Sequence, residues 1–154
     1  MIAELDRYHG VVLRQILVAC ERPVRLGIAD VSGRIDTFFV ERAAFQVKHS
    51  SKRLSPWQFT YLTEHVNELQ ALGEKFKPVW VMLVCGVDGV VGLSAQELFS
   101  ILEISELGAG GIRVSRSRNS MYRVSGARGE LPRAKPRGVH AFMEEVFRTT
   151  GETQ

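Results

Sequence analysis

The amino-acid sequence predicts an α/β protein with a mixed central sheet flanked by helices. Three short hydrophobic segments follow a helical N-terminal stretch, which indicates three successive strands. A second helical pattern separates them from residues 79–85, whose continuous apolar run is typical of a strand covered on both faces. A helix between two such strands indicates a crossover connection, so the predicted core has the order α-β-β-β-α-β.

The first part of this core is a helix followed by a three-stranded meander. Apolar residues recur on one face of residues 2–20, and Pro23 ends the helical geometry soon afterwards. We predict strands over residues 24–29, 35–40 and 44–49, with a turn at residues 30–33 between the first two.

The second part contains the crossover helix and the buried strand. Ser55 is a good N-cap and Pro56 a good first helical residue, so we predict a helix from there to about Phe76. Its apolar residues are spaced for a buried stripe: Phe59, Leu62, Val66, Leu69 and Leu72. Strands over residues 79–85 and 90–93 and a helix over residues 94–104 complete the core.

The remaining residues are predicted to form a basic appendage. Residues 107–111 indicate a flexible break, residues 112–118 and 121–125 a hairpin, residues 126–138 a loop and residues 140–148 a helix. The length of 154 residues, 45% hydrophobic and 24% charged, fits one globular domain. We expect a single domain over 1–154, with a core of about 1–105 and the appendage within about 106–150.

The polar residues of the second predicted hairpin are the strongest indication of chemistry. If its turn centres on Arg42, Asp36 lies directly opposite Lys48, and Gln46 shares their face because side chains alternate along a strand. A carboxylate, an amide and an ammonium group on an otherwise apolar sheet face are costly to bury. This pattern therefore indicates a functional cluster.

The order of elements, with Asp36 on the second strand and Gln46-Val47-Lys48 on the third, resembles the PD-(D/E)XK (restriction-endonuclease-like) nuclease superfamily. The resemblance is to the Asp…Gln-x-Lys variant and covers about residues 1–93. It implies a metal-dependent nuclease, an Mg²⁺-dependent endonuclease that cleaves phosphodiester bonds. Two departures are that no proline precedes Asp36 and that Gln46 is neutral.

The resemblance also implies a role for each matching residue. Asp36, the Gln46 amide oxygen and the Val47 carbonyl would bind Mg²⁺ or Mn²⁺, and Lys48 would position water or stabilise developing negative charge. The acid that the family carries on its first helix would be Glu4, or else Asp6. Asp30 is another source of negative charge if the first hairpin brings it beside Asp36.

Positive charge is concentrated in one part of the chain. The net charge is +3, but residues 113–137 carry eight basic residues and one acid, and the rest of the chain is net negative. Arginine suits phosphate contacts because its guanidinium group pairs with two oxygens at once. We predict nucleic-acid contacts, with DNA favoured over RNA, at these residues: Lys52, Arg53, Arg113, Arg116, Arg118 and Arg123.

Other classes of function are less well supported by the sequence. Cys20 and Cys85 have no neighbouring ligands at zinc spacing, and no apolar run approaches the length of a membrane span. We expect a cytoplasmic protein that does not contact membranes. Two alternatives to the nuclease stay open: an inactive nuclease-fold module that binds nucleic acid, and a protein-assembly module that forms a homodimer.

Overall fold

Two β-sheets and four helices make up the part of the protein that the computed structural model describes, residues 1–31, 33 and 35–152. The helices are α1 (Glu4–Ala19), α2 (Thr63–Lys75), α3 (Ala95–Ile101) and α4 (His140–Glu152). The first sheet contains β1 (Leu26–Ile28), β2 (Thr37–Val40), β3 (Ala43–Ser50), β5 (Val79–Cys85) and β6 (Gly89–Ser94). The second contains β4 (Trp57–Leu62), β7 (Ala109–Ser115), β8 (Arg123–Gly126) and β9 (Gly129–Glu130).

The first sheet has the strand order β1-β2-β3-β5-β6. Strands β1, β2 and β3 form an antiparallel meander, β5 runs parallel to β3, and β6 returns antiparallel to β5. The predicted mixed α/β class is confirmed, and the meander and the crossover occur in the predicted order. The first two strands are shorter than expected, because Ile35 and Asp36 form a bend before β2 begins at Thr37.

The second sheet corrects the predicted helix over residues 55–76. Residues Trp57–Leu62 form β4, and α2 begins only at Thr63. Trp57, Phe59 and Tyr61 are buried while the residues between them are exposed, which is the period of two expected of a strand. The serine-proline start of the segment favoured a helix, but the aromatic alternation and pairing with β7 outweigh it.

The appendage also differs from its prediction. The predicted flexible break over residues 107–111 is a strand from residue 109 onward, because residues 109–111 belong to β7 and pair with β4. A Cβ at Gly110 would overlap the backbone of Glu103, and one at Gly126 would overlap the backbone of Ile101. These glycines are needed for close approach between chain segments rather than for flexibility. Within the predicted loop, Gly129–Glu130 form β9 and Tyr122 bridges to Lys135.

The two faces of the first sheet carry two different hydrophobic clusters. On one face, α1 and α4 pack through Val12, Ile16 and Phe142 against Phe45 and Met82. On the other face, α2, α3 and the second sheet enclose a larger cluster. Residues from both sides of position 105 share this larger cluster, among them Tyr61, Val81, Leu83, Ile112 and Val124.

Among the described residues, no helix is both long enough and apolar enough to cross a membrane. Cys20 and Cys85 are free thiols, and burial raises the pKa of Cys85 to about 12. Cys85 is therefore protonated and unreactive at neutral pH.

Gly86 is needed where the β5–β6 turn meets the segment after β3. Its φ is +55°, and a Cβ there would overlap the carbonyl oxygen of Lys52. We expect Gly86→Ala to destabilise the protein by about 2 kcal/mol or more. The cost of a positive φ for alanine adds to the cost of the overlap between its Cβ and the backbone. Thermal unfolding would show this as a fall in Tm of about 4–8 °C.

Gly73→Ala is the matched control for that substitution. Gly73 lies within α2, and nothing stands within 4 Å of a Cβ added there. Alanine stabilises a helix more than glycine does. We therefore expect the opposite sign, a gain of about 0.5–1 kcal/mol in the free energy of unfolding. Equal Tm values for the two variants would contradict the role of Gly86.

Candidate functional site

The turn between β2 and β3 decides which residues of the predicted cluster face one another. The turn consists of Glu41 and Arg42, between the paired residues Val40 and Ala43. Thr37 therefore lies opposite Gln46, and the Val47 N–H donates to the backbone oxygen of Asp36 at 2.9 Å. The predicted pairing of Asp36 with Lys48 is wrong by one residue, because the turn centres between Glu41 and Arg42 rather than on Arg42.

Gln46 is buried on the face of β3 that meets α2, with 1% of its surface exposed. Its Nε2 donates to Glu68 Oε1 at 2.8 Å, and Glu68 is itself only 3% exposed. The amide oxygen Oε1 is buried and has no hydrogen-bond partner among the described residues. A buried acceptor without a partner is costly, so an ordered water or ion is expected beside this oxygen.

Lys48 lies two residues further along β3 and on the same face. Its Nζ donates to the carbonyl oxygen of Thr60, lies 3.1 Å from His65 Nδ1 and stands 4.3 Å from the centre of the Tyr61 ring. His65 Nδ1 also accepts from the Leu62 N–H at 3.0 Å, so that nitrogen carries no hydrogen and is an acceptor for Lys48. These contacts from β4 and α2 hold the ammonium group in one place.

Tyr61 places a phenol beside the same cluster. Burial raises its pKa, and the negative charges of Asp36 and then Glu68 raise it further. The Asp36 carboxylate therefore lies within electrostatic range of Tyr61, although its backbone pairs with Val47, whose side chain packs on the opposite face of the sheet. The Tyr61 hydroxyl is buried and, among the described residues, has no hydrogen-bond partner. A donor and an acceptor that are both buried and unpaired indicate a bound water, ion or substrate.

The structure does not bring Glu4 to this cluster. Tyr8 donates to Glu4 at 3.2 Å and stacks on His49 with 4.3 Å between ring centres. His49 follows Lys48 on β3, so it points to the opposite face, and Glu4 lies on that side with α1. Asp30 instead accepts from the Gly33 N–H in its own turn.

Three members of the cluster, Tyr61, His65 and Glu68, were missed by the sequence analysis. Tyr61 was assigned to a helix, which hid its place on a strand beside Lys48. His65, Glu68, Leu69 and Leu72 follow the spacing of a single helix face. A histidine and an acid on the apolar stripe of a helix were the available signal.

The oxygen-bearing residues fit a hard divalent cation if water completes the coordination. Among the described residues, no group of three or more His, Cys, Asp and Glu side chains is placed to hold a metal ion. The unpaired oxygen of Gln46 is nevertheless the kind of ligand that Mg²⁺ accepts, and Mg²⁺ usually keeps several waters beside one or two carboxylates. The protein share of such a site would be Asp36, Gln46 and the backbone of Val47.

Of the residues predicted to contact nucleic acid, five have exposed side chains and one is bound to a carboxylate of the protein. Lys52 and Arg53 are exposed on the segment after β3, and Arg113 and Arg118 are exposed on and after β7. Arg123 is also exposed and lies 3.7 Å from Glu130, a surface ion pair that stabilises little. Four of these five cations therefore face solvent without a described acidic partner.

Arg116, by contrast, is committed to Asp88 in the β5–β6 turn. Its Nε and Nη2 donate to the two carboxylate oxygens at 2.8 and 2.5 Å, and the Tyr122 hydroxyl donates to the same carboxylate at 2.5 Å. The hydrogen bond from Arg116 is the main reason that the pKa of Asp88 lies below its ordinary value. Arg116 therefore joins the two sheets, and its main contact is with protein rather than with an external phosphate.

Comparison with protein-family models, with curated proteins and with solved structures found no match to this chain.

Proposed function

We propose that the protein is a metal-dependent nuclease that cleaves phosphodiester bonds at the cluster of Asp36, Gln46 and Lys48. The observation that carries this proposal is the unpaired, buried amide oxygen of Gln46 next to a fixed Lys48 ammonium group on one strand. A lone core glutamine would be expected to satisfy its amide oxygen within the protein.

Each side chain has a definite task in this proposal. Lys48 orients the attacking water and stabilises the negative charge that develops on the phosphate. Thr60, His65 and Tyr61 hold the ammonium group in place, which reduces the reorganisation needed during the reaction. The Tyr61 hydroxyl is a second buried donor beside the cluster and has no described partner.

The metal, Mg²⁺ or Mn²⁺, would be held by the Asp36 carboxylate, the Gln46 amide oxygen and the Val47 carbonyl. When bound, it would polarise the phosphate and lower the pKa of a bound water. Glu68 adds negative charge behind Gln46 and orients it, because its Oε1 accepts from Gln46 Nε2 and so aims the amide oxygen away from the helix. We assign Glu68, rather than Glu4, as the second acid of the site.

Two features of the fold support the resemblance to the PD-(D/E)XK nucleases. The meander β1-β2-β3 continues into β5, which is parallel to β3, and the polar residues lie on the bend before β2 and along β3. The cations of Lys52 and Arg53 follow directly from β3, and Arg113 faces outward from the second sheet. This arrangement suits a polyanion, and DNA is the substrate we propose ahead of RNA.

A second candidate is a nuclease-fold module that binds nucleic acid without cutting it. The observation in its favour is that Lys48 already contacts Thr60 and His65, while no group of three metal-binding side chains occurs among the described residues. Such a module would bind nucleic acid with strong salt dependence and would not respond to Asp36→Ala.

The experiment that separates these functions is a cleavage assay on plasmid, single-stranded DNA and RNA with Mg²⁺, Mn²⁺ or EDTA. We expect metal-dependent cleavage that EDTA abolishes, with DNA cut faster than RNA. Salt-sensitive binding without cleavage under any metal would overturn the nuclease and favour the inactive module. Light scattering of the same preparation would test for a homodimer.

A further inference from the structure

A serine-rich cavity of about 350 Å³ lies where the β7–β8 hairpin meets the start of β4. We call it the serine cavity. Its polar lining consists of Ser55, Ser115, Ser117, Ser120, Arg116 and Arg123. No carboxylate occurs among the described residues that line it, although acidic residues outnumber basic ones in the chain outside residues 113–137.

In the described part of the chain, the hydrogen bonds around the serine cavity involve the hydroxyls of Ser55 and Ser120 but not those of Ser115 and Ser117. Ser55 Oγ accepts from the backbone N–H of Arg116 at 3.0 Å, and the Ser120 hydroxyl donates to the carbonyl oxygen of Ser117 at 2.6 Å. No such bond is described for the hydroxyls of Ser115 and Ser117. These two groups can therefore donate to a ligand in the cavity.

Two arginines supply positive charge at the serine cavity: one is held in place and the other is free to move. Arg116 is held by Asp88, and its remaining Nη1 lies on the cavity side, 3.4 Å from the carbonyl oxygen of Ser120. Arg123 is 71% exposed and only loosely paired with Glu130, so it can turn toward an anion. Arg118 and Arg133 are exposed next to lining residues.

We propose that the serine cavity binds a phosphate group through the hydroxyls of Ser115 and Ser117 and the guanidinium group of Arg123. Hydroxyl donors beside arginine match the acceptor oxygens and charge of phosphate, and the cavity has no carboxylate to repel it. That the phosphate belongs to nucleic acid rests on the proposed function. The affinity of the cavity for inorganic phosphate does not.

The first test uses the wild-type protein and inorganic phosphate. We expect phosphate to raise Tm more than chloride does at equal ionic strength, and the double variant Ser115→Ala/Ser117→Ala to lose that increase. Because serine-to-alanine changes at partly exposed positions are mild, both proteins should unfold cooperatively without phosphate. An equal increase with both salts would overturn the proposal.

The second test measures binding of a short DNA duplex in EDTA, so that cleavage plays no part. We expect the double serine variant to bind about tenfold more weakly, and Arg123→Gln to lower the slope of log affinity against log salt by about one. The controls lie outside the cavity at exposed or partly exposed positions: Ser125→Ala for the loss of a serine hydroxyl and Arg128→Gln for the loss of a guanidinium group.

The duplex carries either a 5′-hydroxyl or a 5′-phosphate, and a circular DNA provides internal phosphates alone. Tighter binding of the 5′-phosphate form would assign the cavity to a terminal phosphate. Equal binding of the two duplexes and the circular DNA would assign it to the internal backbone. Equal weakening by the cavity and control variants would overturn the proposal. A wild type that never cleaves but passes these tests would refute the nuclease alone.

Discussion

Replacing Lys48 with methionine is expected to lower metal-dependent cleavage by about 10²- to 10³-fold, the loss typical of removing one fixed donor to a developing charge. Methionine keeps the length and apolar stem of lysine, so the packing against Tyr61 is retained while the contacts to Thr60 and His65 are lost. Plasmid cleavage and thermal unfolding, measured on the same preparation, would separate the loss of activity from any loss of fold.

Lys52→Met is the matched control for Lys48→Met. Lys52 is an exposed lysine on the segment that follows β3, and its described contact is through the backbone carbonyl, which accepts from Trp57 Nε1. We expect it to weaken DNA binding slightly and to leave the cleavage rate at saturating DNA unchanged. Full cleavage by Lys48→Met in a clean preparation would remove Lys48 from the mechanism.

Glu68→Gln is expected to reduce cleavage by about 10- to 100-fold, the range found when a group that orients a metal ligand is lost. The Gln46–Glu68 hydrogen bond can survive as an amide pair, but the site loses a negative charge that favours a divalent cation. We also expect a smaller rise in Tm on addition of Mg²⁺, a readout that does not require turnover.

Glu74→Gln provides the comparison, because Glu74 is an exposed acid on the same helix. It should leave both cleavage and the response of Tm to Mg²⁺ unchanged. If Glu68→Gln behaved like Glu74→Gln in both measurements, Glu68 would be only a buried structural partner of Gln46. If Glu4→Gln instead removed activity, Glu4 rather than Glu68 would be the second acid of the site.

The local patterns of the sequence were sufficient for much of the first sheet. The apolar run of β5, the meander of β1 to β3 and the helical face of α1 each follow from burial on one or both sides of a single element. The placement of Gln46 and Lys48 on one face also needed only the alternation of a strand. These properties depend on neighbours in sequence, so a pattern of residues reveals them.

Other features depend on contacts between distant segments and were not predicted. Trp57–Leu62 carries helix-start signals, and its pairing with β7, about fifty residues away, makes it a strand. The observed pairing of Asp36 differs by one residue from the prediction because a two-residue turn suits the twist of the hairpin. Arg116 was predicted to bind nucleic acid, but Asp88 in the β5–β6 turn holds its guanidinium group.

Local residue patterns were therefore enough to predict the fold class, the central meander and the polar pair of Gln46 and Lys48. The surroundings of that pair depend on long-range packing: Tyr61 comes from β4, and His65 and Glu68 come from α2. Hydrophobic periodicity specifies which face of an element is buried but not which element covers it. The partners of a buried polar group are fixed by long-range packing, and they decide whether its atoms are satisfied or left for a ligand.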